Sequence, residues 1–189
     1  EKELSGHKKM VIRPNKSIGL LGGSFDPAHK GHLSISKIAL KKIKLKKIYW
    51  VVTKKNPLKK RTLFSINQRI EKSKRIVGKS KKIRVVYFDK IIKSSKSYKV
   101  INFLLKRERT KSLYFIMGSD NLITLHKWEN WKKILELTKV IVFSRKGFDT
   151  KAKKSVIMSH LKSKNIKFFK NYKVDISSTK LRSMIINGS

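Results

Sequence analysis

Residues 19–33 have the sequence GLLGGSFDPAHKGHL, and this stretch decides the fold of the chain. An apolar segment from Ser17 to Leu21 leads into two glycines, a turn at Asp26-Pro27, and then two histidines three positions apart. An amphipathic run follows the histidines. This order predicts a strand that ends near Leu21, a loop, and a helix that begins beside the histidines.

The loop has the composition of an anion-binding site. Gly22 and Gly23 carry no Cβ, so their backbone amides can approach a ligand closely. A helix N-terminus favours phosphate, and His29 and His32 can add hydrogen bonds or positive charge. Two glycines, a proline and an aspartate also make an ordinary tight turn. The functional interpretation is favoured because two of the five histidines in the chain stand here together.

Length and composition bound the class of protein. The 189 residues suffice for one domain with a substantial core. The absence of cysteine excludes disulfides, thiolate chemistry and cysteine-ligated metals. No apolar run approaches the ~20 residues that cross a bilayer, and residues 1–16 lack the apolar core of a signal peptide. We therefore expect a flexible N-terminal arm over 1–16, a single domain over 17–189, no membrane partner, and a cytoplasmic protein.

The formal net charge of +38 allows two explanations. A basic patch on one face would indicate nucleic acid, whereas lysines scattered through every segment, as here, are more typical of a solvated surface. The same charge raises the association rate of polyanions such as ATP and favours non-specific binding to nucleic acid at low salt. Because the chain lacks a helix-turn-helix, zinc or RNP signature, we expect no specific nucleic-acid partner.

Strand and helix patterns alternate along the chain. The apolar run at 48–53 is typical of a strand buried on both faces, and further strands are predicted at 83–88, 113–117, 140–143 and 166–169. Amphipathic or capped segments predict helices at 33–42, 65–77, 98–105, around Trp128 and Trp131, at 155–161 and at 178–187, with a polar connection over 90–96. The alternation predicts an α/β, Rossmann-like, doubly wound and mainly parallel sheet with helices on both faces. Ligands of such sheets bind beyond the carboxyl ends of the strands.

A second polar cluster begins the last predicted helix. Residues 175–182 have the sequence DISSTKLR. Serine and threonine before an apolar helix satisfy its unpaired amides. The hydroxyls of Ser178 and Thr179, with Arg182 one turn later, also present hydrogen-bond donors to phosphate oxygens. The segment can therefore cap a helix and bind an anion at once.

Both clusters resemble motifs of one family. Residues 22–32 resemble the GGSFDPxHxGH signature of the bacterial nicotinate-nucleotide adenylyltransferases, which belong to the HxGH nucleotidylyltransferase superfamily, and residues 176–182 resemble its ISSTxxR signature. The resemblance implies the nucleotidylyltransferase fold and transfer of AMP from ATP to nicotinate mononucleotide. The products would be deamido-NAD and pyrophosphate, a step of NAD biosynthesis. Mg²⁺ would be carried by ATP, with no metal site built from the protein, and a monomer or a homo-oligomer both stay open.

The resemblance also implies roles for individual residues. The catalytic pair would be His29 and His32, at the α- and β-phosphates. The ATP-binding set would be Gly22, Gly23, Ser24, Phe25, His29, His32, Ser178, Thr179 and Arg182. The substrate-binding set would be Lys59, Tyr98, Gly118, Asp120, Trp128 and Arg145.

Some residues of the substrate-binding set also have a purely structural explanation. A glycine and an aspartate after a strand, as at Gly118 and Asp120, often form only a turn. Two tryptophans three apart on a helix are usually packed in a core, as we expect for Trp131. Lys59 lies in a basic loop, and the helix that follows this loop carries Arg69. Basic residues in such loops are usually only solvated.

One segment departs from the family. The family usually has Tyr-Thr at Tyr98 and a second threonine three residues later, near the nicotinate carboxylate, but this chain has Lys99 and Asn102. The choice between acid and amide therefore stays open. The alternatives are a related adenylyltransferase for nicotinamide mononucleotide or phosphopantetheine, and, from another class, a basic nucleic-acid-binding module.

Overall fold

The computed structural model describes residues 16–54, 61–170 and 177–188. These residues contain one sheet of six strands, β1 Ile18–Gly23, β2 Lys47–Val52, β3 Ile83–Val86, β4 Leu113–Gly118, β5 Lys139–Phe143 and β6 Ile166–Phe169. The order across the sheet is β3-β2-β1-β4-β5-β6, and every neighbouring pair is parallel. The predicted doubly wound α/β architecture is confirmed.

Helices cover both faces of this sheet. They are α1 Lys30–Ile43, α2 Ile66–Val77, α3 Asp89–Ile92, α4 Ser97–Arg107, α5 Ser119–Thr124, α6 Trp131–Leu137, α7 Asp149–Lys153, α8 Val156–His160 and α9 Ser178–Asn187. Side chains alternate along each strand, so Leu20 packs in one core with α4 and α6 while Leu21 packs in the other with α1. In the part of the chain described here, no helix has both the length and the apolar character to cross a membrane.

Gly19 is required by packing in the centre of the sheet. A Cβ there would lie 2.8 Å from Cγ1 of Ile48, 3.0 Å from Cδ1 of Leu45 and 3.1 Å from Cδ1 of Ile116. A Cβ at Gly22, three residues later, would meet no heavy atom within 4 Å. The first glycine of β1 therefore serves the core, and the second leaves open space at the carboxyl end of the strand.

We expect Gly19→Ala to lower the free energy of unfolding by about 1–2 kcal/mol, because the added methyl overpacks the core. Gly22→Ala is the matched control and is expected to change that free energy by less than about 0.5 kcal/mol. Urea unfolding of the two variants measures the difference. Equal losses in both would contradict the packing role of Gly19.

Several predicted boundaries are corrected. β1 continues through both glycines, because Gly22 and Gly23 pair with the end of β2 and are not part of the loop. β3 ends at Val86, two residues early, and α3 occupies part of the predicted polar connection. The short helices α5 and α7 were not predicted.

The prediction of one helix that carries both tryptophans is also wrong. Trp128 is extended, with φ −82° and ψ 144°, and ends a 3₁₀ turn over Leu125–Lys127. Asn130 has left-handed backbone angles, with φ 55°, and α6 begins only at Trp131. A left-handed residue breaks a right-handed helix, so the two rings do not share one helical face.

Candidate functional site

The loops that carry the candidate residues leave the same edge of the sheet. All six strands are parallel, so the residues after β1, β4 and β5 lie beyond their carboxyl ends. From β1 the chain first adds β2 and β3 on one side of this strand. It then returns and adds β4, β5 and β6 on the other side. The reversal between β1 and β4 creates the crevice at which such sheets bind ligands. The topology therefore places these loops at the edge of the sheet where the sequence predicts the site.

His29 and His32 form a reciprocal cap at the start of α1. Nδ1 of His29 accepts a hydrogen bond from the backbone N–H of Gly31 at 3.0 Å, and the backbone N–H of His29 donates to Nδ1 of His32 at 3.1 Å. The two ring centroids are 3.9 Å apart. Since each Nδ1 is an acceptor, the proton of each neutral ring is assigned to Nε2. The local helix start thus gives both histidines the tautomer that donates from Nε2.

His29 is buried, with 7% of the residue exposed. Burial, and secondarily the positive charge of Arg145, lower the pKa of His29 from 6.5 to about 4. Its imidazole is therefore neutral at physiological pH. His29 offers a ligand a hydrogen bond rather than a positive charge.

This pKa predicts a pH-dependent stability. A histidine whose pKa is lower in the folded chain contributes stability above its unfolded value, and that stability is lost as the pH falls towards the folded value. In His29→Asn the asparagine still caps the helix but does not titrate. Between pH 6.5 and about 4, we expect the wild type to lose about 2–3 kcal/mol more than this variant. Urea unfolding at both pH values measures it, and parallel losses would contradict the assignment.

Phe25 and Trp50 hold His32 against the sheet. Phe25 has left-handed backbone angles, with φ 48°. Its ring stacks on Trp50 with centroids 5.2 Å apart and lies 4.8 Å from the His32 ring. Nε1 of Trp50 donates to Oγ of Ser36 at 2.8 Å, and that hydroxyl donates to the carbonyl of His32 at 2.8 Å. A tryptophan of β2 therefore positions the catalytic candidate of α1.

Arg69 ties the histidine loop to the end of β2. Only 1% of this residue is exposed. Its Nη1 donates to the carbonyls of Ser24 and Thr53, each at 2.7 Å, and Nη2 donates to the carbonyl of Lys54 at 3.0 Å. From the sequence alone, Arg69 was named only as part of the helix after the basic loop of Lys59, but its guanidinium binds backbone carbonyls. Arg69 therefore holds the backbone around the site in place.

The start of α9 docks on the same loop. Oγ of Ser178 donates to the carbonyl of Pro27 at 2.8 Å, and Nη1 of Arg182 donates to the carbonyl of Asp26 at 2.7 Å. Ser177 supplies the helix cap, because its Oγ accepts from the N–H of Lys180 at 3.1 Å. Segments about 150 residues apart in sequence therefore meet at the histidine loop, as the two motifs predicted.

Asp120 and Arg145 form an ion pair after β4 and β5. Nη1 of Arg145 lies 2.9 Å from Oδ2 of Asp120, while Oδ1 of Asp120 is buried without a hydrogen-bond partner. A Cβ at Gly118 would lie 2.5 Å from that Oδ1 and 3.0 Å from Cδ of Arg145. Oγ of Ser119 accepts from the N–H of Arg145 at 2.9 Å. Gly118 is therefore needed for the close approach of this pair.

Trp128 and Tyr98 contact the core on the α4 side of the sheet. Trp128 packs edge-on against Phe115 with centroids 6.1 Å apart, and both Trp128 and Tyr98 are partly buried against this core. An ion pair of 2.6 Å between Lys96 and Glu129 joins their two segments. These contacts do not join either ring to the histidine loop, so their binding roles stay predictions.

Some predicted residues lie outside the described part of the chain. These residues are Lys59, and Asp175 and Ile176 of the second motif. The predicted N-terminal arm also lies outside the described part, apart from Lys16. Within the described ranges, no cluster of three histidine, aspartate or glutamate side chains could hold a metal ion.

The sequence did not identify the residues that support the motifs. Asp26 was assigned only to a turn, and Trp50 and Ser36 only to a strand and a helix. Their partners are distant in sequence, so no local spacing marks them. The one available signal was chemical, since a buried tryptophan N–H requires an acceptor.

Comparison with known proteins gives consistent results. The family model described as cytidylyltransferase-like matches residues 20–184. A probable nicotinate-nucleotide adenylyltransferase of Pelagibacter ubique is 44% identical over 167 residues, covering 88% of this chain and 92% of that protein. The corresponding protein of Rhizobium meliloti is 34% identical over 132 residues, covering 69% of this chain and 70% of its own.

The solved structures agree on the fold. The Plasmodium falciparum nicotinic acid mononucleotide adenylyltransferase complexed with NaAD superposes with a TM-score of 0.70 at 20% identity, covering 92% of this chain and 88% of that one. A nicotinate-nucleotide adenylyltransferase structure from Vibrio parahaemolyticus gives 0.60 at 15% identity, with 92% and 88% covered. At these identities the likeness concerns the arrangement of strands and helices.

Proposed function

This chain belongs to the cytidylyltransferase-like family and, within it, to the nicotinate-nucleotide adenylyltransferases, and we propose that the histidine loop and α9 together carry out its reaction. The reaction transfers AMP from ATP to nicotinate mononucleotide and releases pyrophosphate. One observation carries the proposal for the site. Ser178 and Arg182 of α9 contact the carbonyls of Pro27 and Asp26, directly before the histidine pair.

The chemistry needs positioning more than proton transfer. A phosphate oxygen of nicotinate mononucleotide forms a bond to the α-phosphorus of ATP, and the bond from that phosphorus to the bridging oxygen of the β-phosphate breaks. The attacking phosphate is already ionised at neutral pH, so no general base is required. Catalysis then consists of in-line placement and stabilisation of the negative charge that grows on the leaving pyrophosphate.

The histidines fit this task because their tautomers are fixed. With Nδ1 of each ring accepting a backbone N–H, the proton of each ring is placed on Nε2. Nε2–H donors that are already oriented stabilise developing charge without reorganisation. We propose that His29 and His32 donate to α- and β-phosphate oxygens, with Gly22, Gly23 and Ser24 lining the approach.

The remaining roles divide between the two substrates. We propose that Thr179, Arg182 and Ser178 bind the triphosphate, Ser178 through its backbone N–H because its hydroxyl donates to Pro27. Mg²⁺ would enter as part of the ATP substrate, held by phosphate oxygens and water. The acceptor nucleotide would lie towards Asp120, which lies just after β4 at the carboxyl edge of the sheet. The acceptor set would also include Gly118, Arg145, Trp128, Tyr98 and Lys59.

The substrates indicate the compartment in which the enzyme would work. ATP and pyridine nucleotides are cytoplasmic metabolites, and we propose a cytoplasmic enzyme that works as a monomer or a homo-oligomer. The net charge of +38 would raise the association rate of its polyanionic substrates at low ionic strength.

A substrate panel tests the proposal. The chain is incubated with ATP, Mg²⁺ and one of nicotinate mononucleotide, nicotinamide mononucleotide or phosphopantetheine, and the adenylylated product and pyrophosphate are measured. We expect deamido-NAD to form with the highest kcat/KM. Preference for either of the other acceptors would assign the chain to that sister reaction, and no product with any acceptor would overturn the proposal.

A further inference from the structure

The carboxylate of Asp26 joins the histidine loop to the segment before α2. Only 2% of the residue is exposed. Oδ2 accepts a hydrogen bond from the N–H of Leu63 at 2.8 Å, and Oδ1 accepts from the N–H of Phe64 at 2.9 Å. Both oxygens are therefore occupied by backbone amides, in a place where a buried charge needs such compensation.

Arg182 of α9 reaches the same residue. Its Nη1 donates to the carbonyl of Asp26 at 2.7 Å and lies 3.8 Å from Oδ2 of the carboxylate. Its Nη2 donates to Oγ1 of Thr179 at 3.1 Å. These two contacts and the nearby carboxylate charge together favour one orientation of the planar guanidinium, which sets the directions of its remaining N–H groups. The side chain stays 22% exposed, so part of this group remains accessible.

We propose that Asp26 is a positioning residue for ATP, whose carboxylate acts through Arg182. The negative charge holds the guanidinium in the orientation in which its accessible N–H groups meet the phosphate chain beside the histidines. Without that charge, Arg182 keeps a carbonyl and a hydroxyl as partners, and it must lose side-chain freedom when the phosphates bind. This inference rests on the proposed adenylyl transfer, because it assigns the residue that orients one of its phosphate ligands.

A double-mutant cycle on ATP binding tests the inference. Titration calorimetry gives the dissociation constant of Mg²⁺-ATP for the wild type, Asp26→Asn, Arg182→Met and the double variant. We expect Asp26→Asn alone to weaken binding about tenfold, and to change it by less than about twofold once Arg182 is methionine. In steady-state assays, the same substitution should raise KM for ATP more than it lowers kcat, since uniform binding is lost.

Stability measurements separate positioning from a purely structural role. The amides of Leu63 and Phe64 lose a charged acceptor in Asp26→Asn whatever stands at position 182, so most of the loss of unfolding free energy should persist when Arg182 is methionine, apart from the part that the charge contributes by holding the guanidinium. Asp26→Ser is the second variant if the asparagine variant does not fold. Glu108→Gln is the matched control, because Glu108 also accepts from Lys47 and Tyr49 but at the opposite edge of the sheet. It should lower stability and leave ATP binding unchanged.

The outcomes distinguish the two proposals. Equal losses of ATP affinity in both backgrounds would overturn the role of Asp26 and leave the adenylyl transfer standing. Coupled losses of ATP affinity in a chain that forms no dinucleotide would support the role of Asp26 and overturn the proposed function.

Discussion

His32→Ala is expected to lower kcat by about 10³-fold, because it removes an oriented donor to the phosphate oxygens on which charge develops. Nδ1 of His32 accepts a hydrogen bond from the backbone N–H of His29, so Nε2 is the ring nitrogen that carries the proton. KM for ATP should change much less, since the triphosphate keeps its other contacts. Steady-state kinetics with ATP and nicotinate mononucleotide measures both constants.

The fold of this variant should survive. Removal of the ring takes away one half of the cap on α1, which costs about 1 kcal/mol. The control is His160→Ala at the end of α8, an exposed histidine whose ring packs against Trp131. It should keep normal turnover. If His32→Ala also kept near-normal turnover, the catalytic role of this histidine would be wrong.

Arg69→Met should have the largest effect on stability. The guanidinium donates to the carbonyls of Ser24, Thr53 and Lys54, and methionine would leave all three without this donor inside the protein. Buried carbonyls without partners, together with the loss of charge-assisted bonds, should lower the free energy of unfolding by about 3–5 kcal/mol. Urea unfolding with a constant m-value would measure the change.

Arg75→Met on the same helix is the matched control. Arg75 is exposed, and its loss should change stability by less than about 0.5 kcal/mol. Because Arg69 also holds Ser24, the methionine variant should bind ATP less well even where it is fully folded. Equal stabilities of the two variants would show that the buried guanidinium does not tie the loop to β2.

Much of the fold could be predicted because buried strands and capped helices leave local patterns. The strand Ile166–Phe169 and the helix Ser178–Asn187 were predicted with the bounds that the structure has. The helices α5 and α7 have six and five residues, too few for an apolar period to show. The left-handed Asn130 divided a predicted helix, and a single backbone conformation of this kind is not visible in hydrophobic spacing.

The residues of the candidate site also fall into those that could be identified from the sequence and those that could not. His29 and His32 were predicted because the cap they form depends on residues three apart in sequence. The supporting role of Asp26 was not, because its carboxylate binds the backbone of residues 63 and 64, and a backbone amide has no sequence signature. The buried position of Arg69 was missed for the same reason. Residues with proposed binding roles were thus easier to identify than residues that hold the surrounding backbone in place.

The most direct measurement is a crystal structure with a non-hydrolysable ATP analogue and Mg²⁺. The account predicts phosphate oxygens within about 3 Å of Nε2 of both histidines and of the Arg182 guanidinium in one complex. A triphosphate bound away from either the histidine loop or the start of α9 would contradict it.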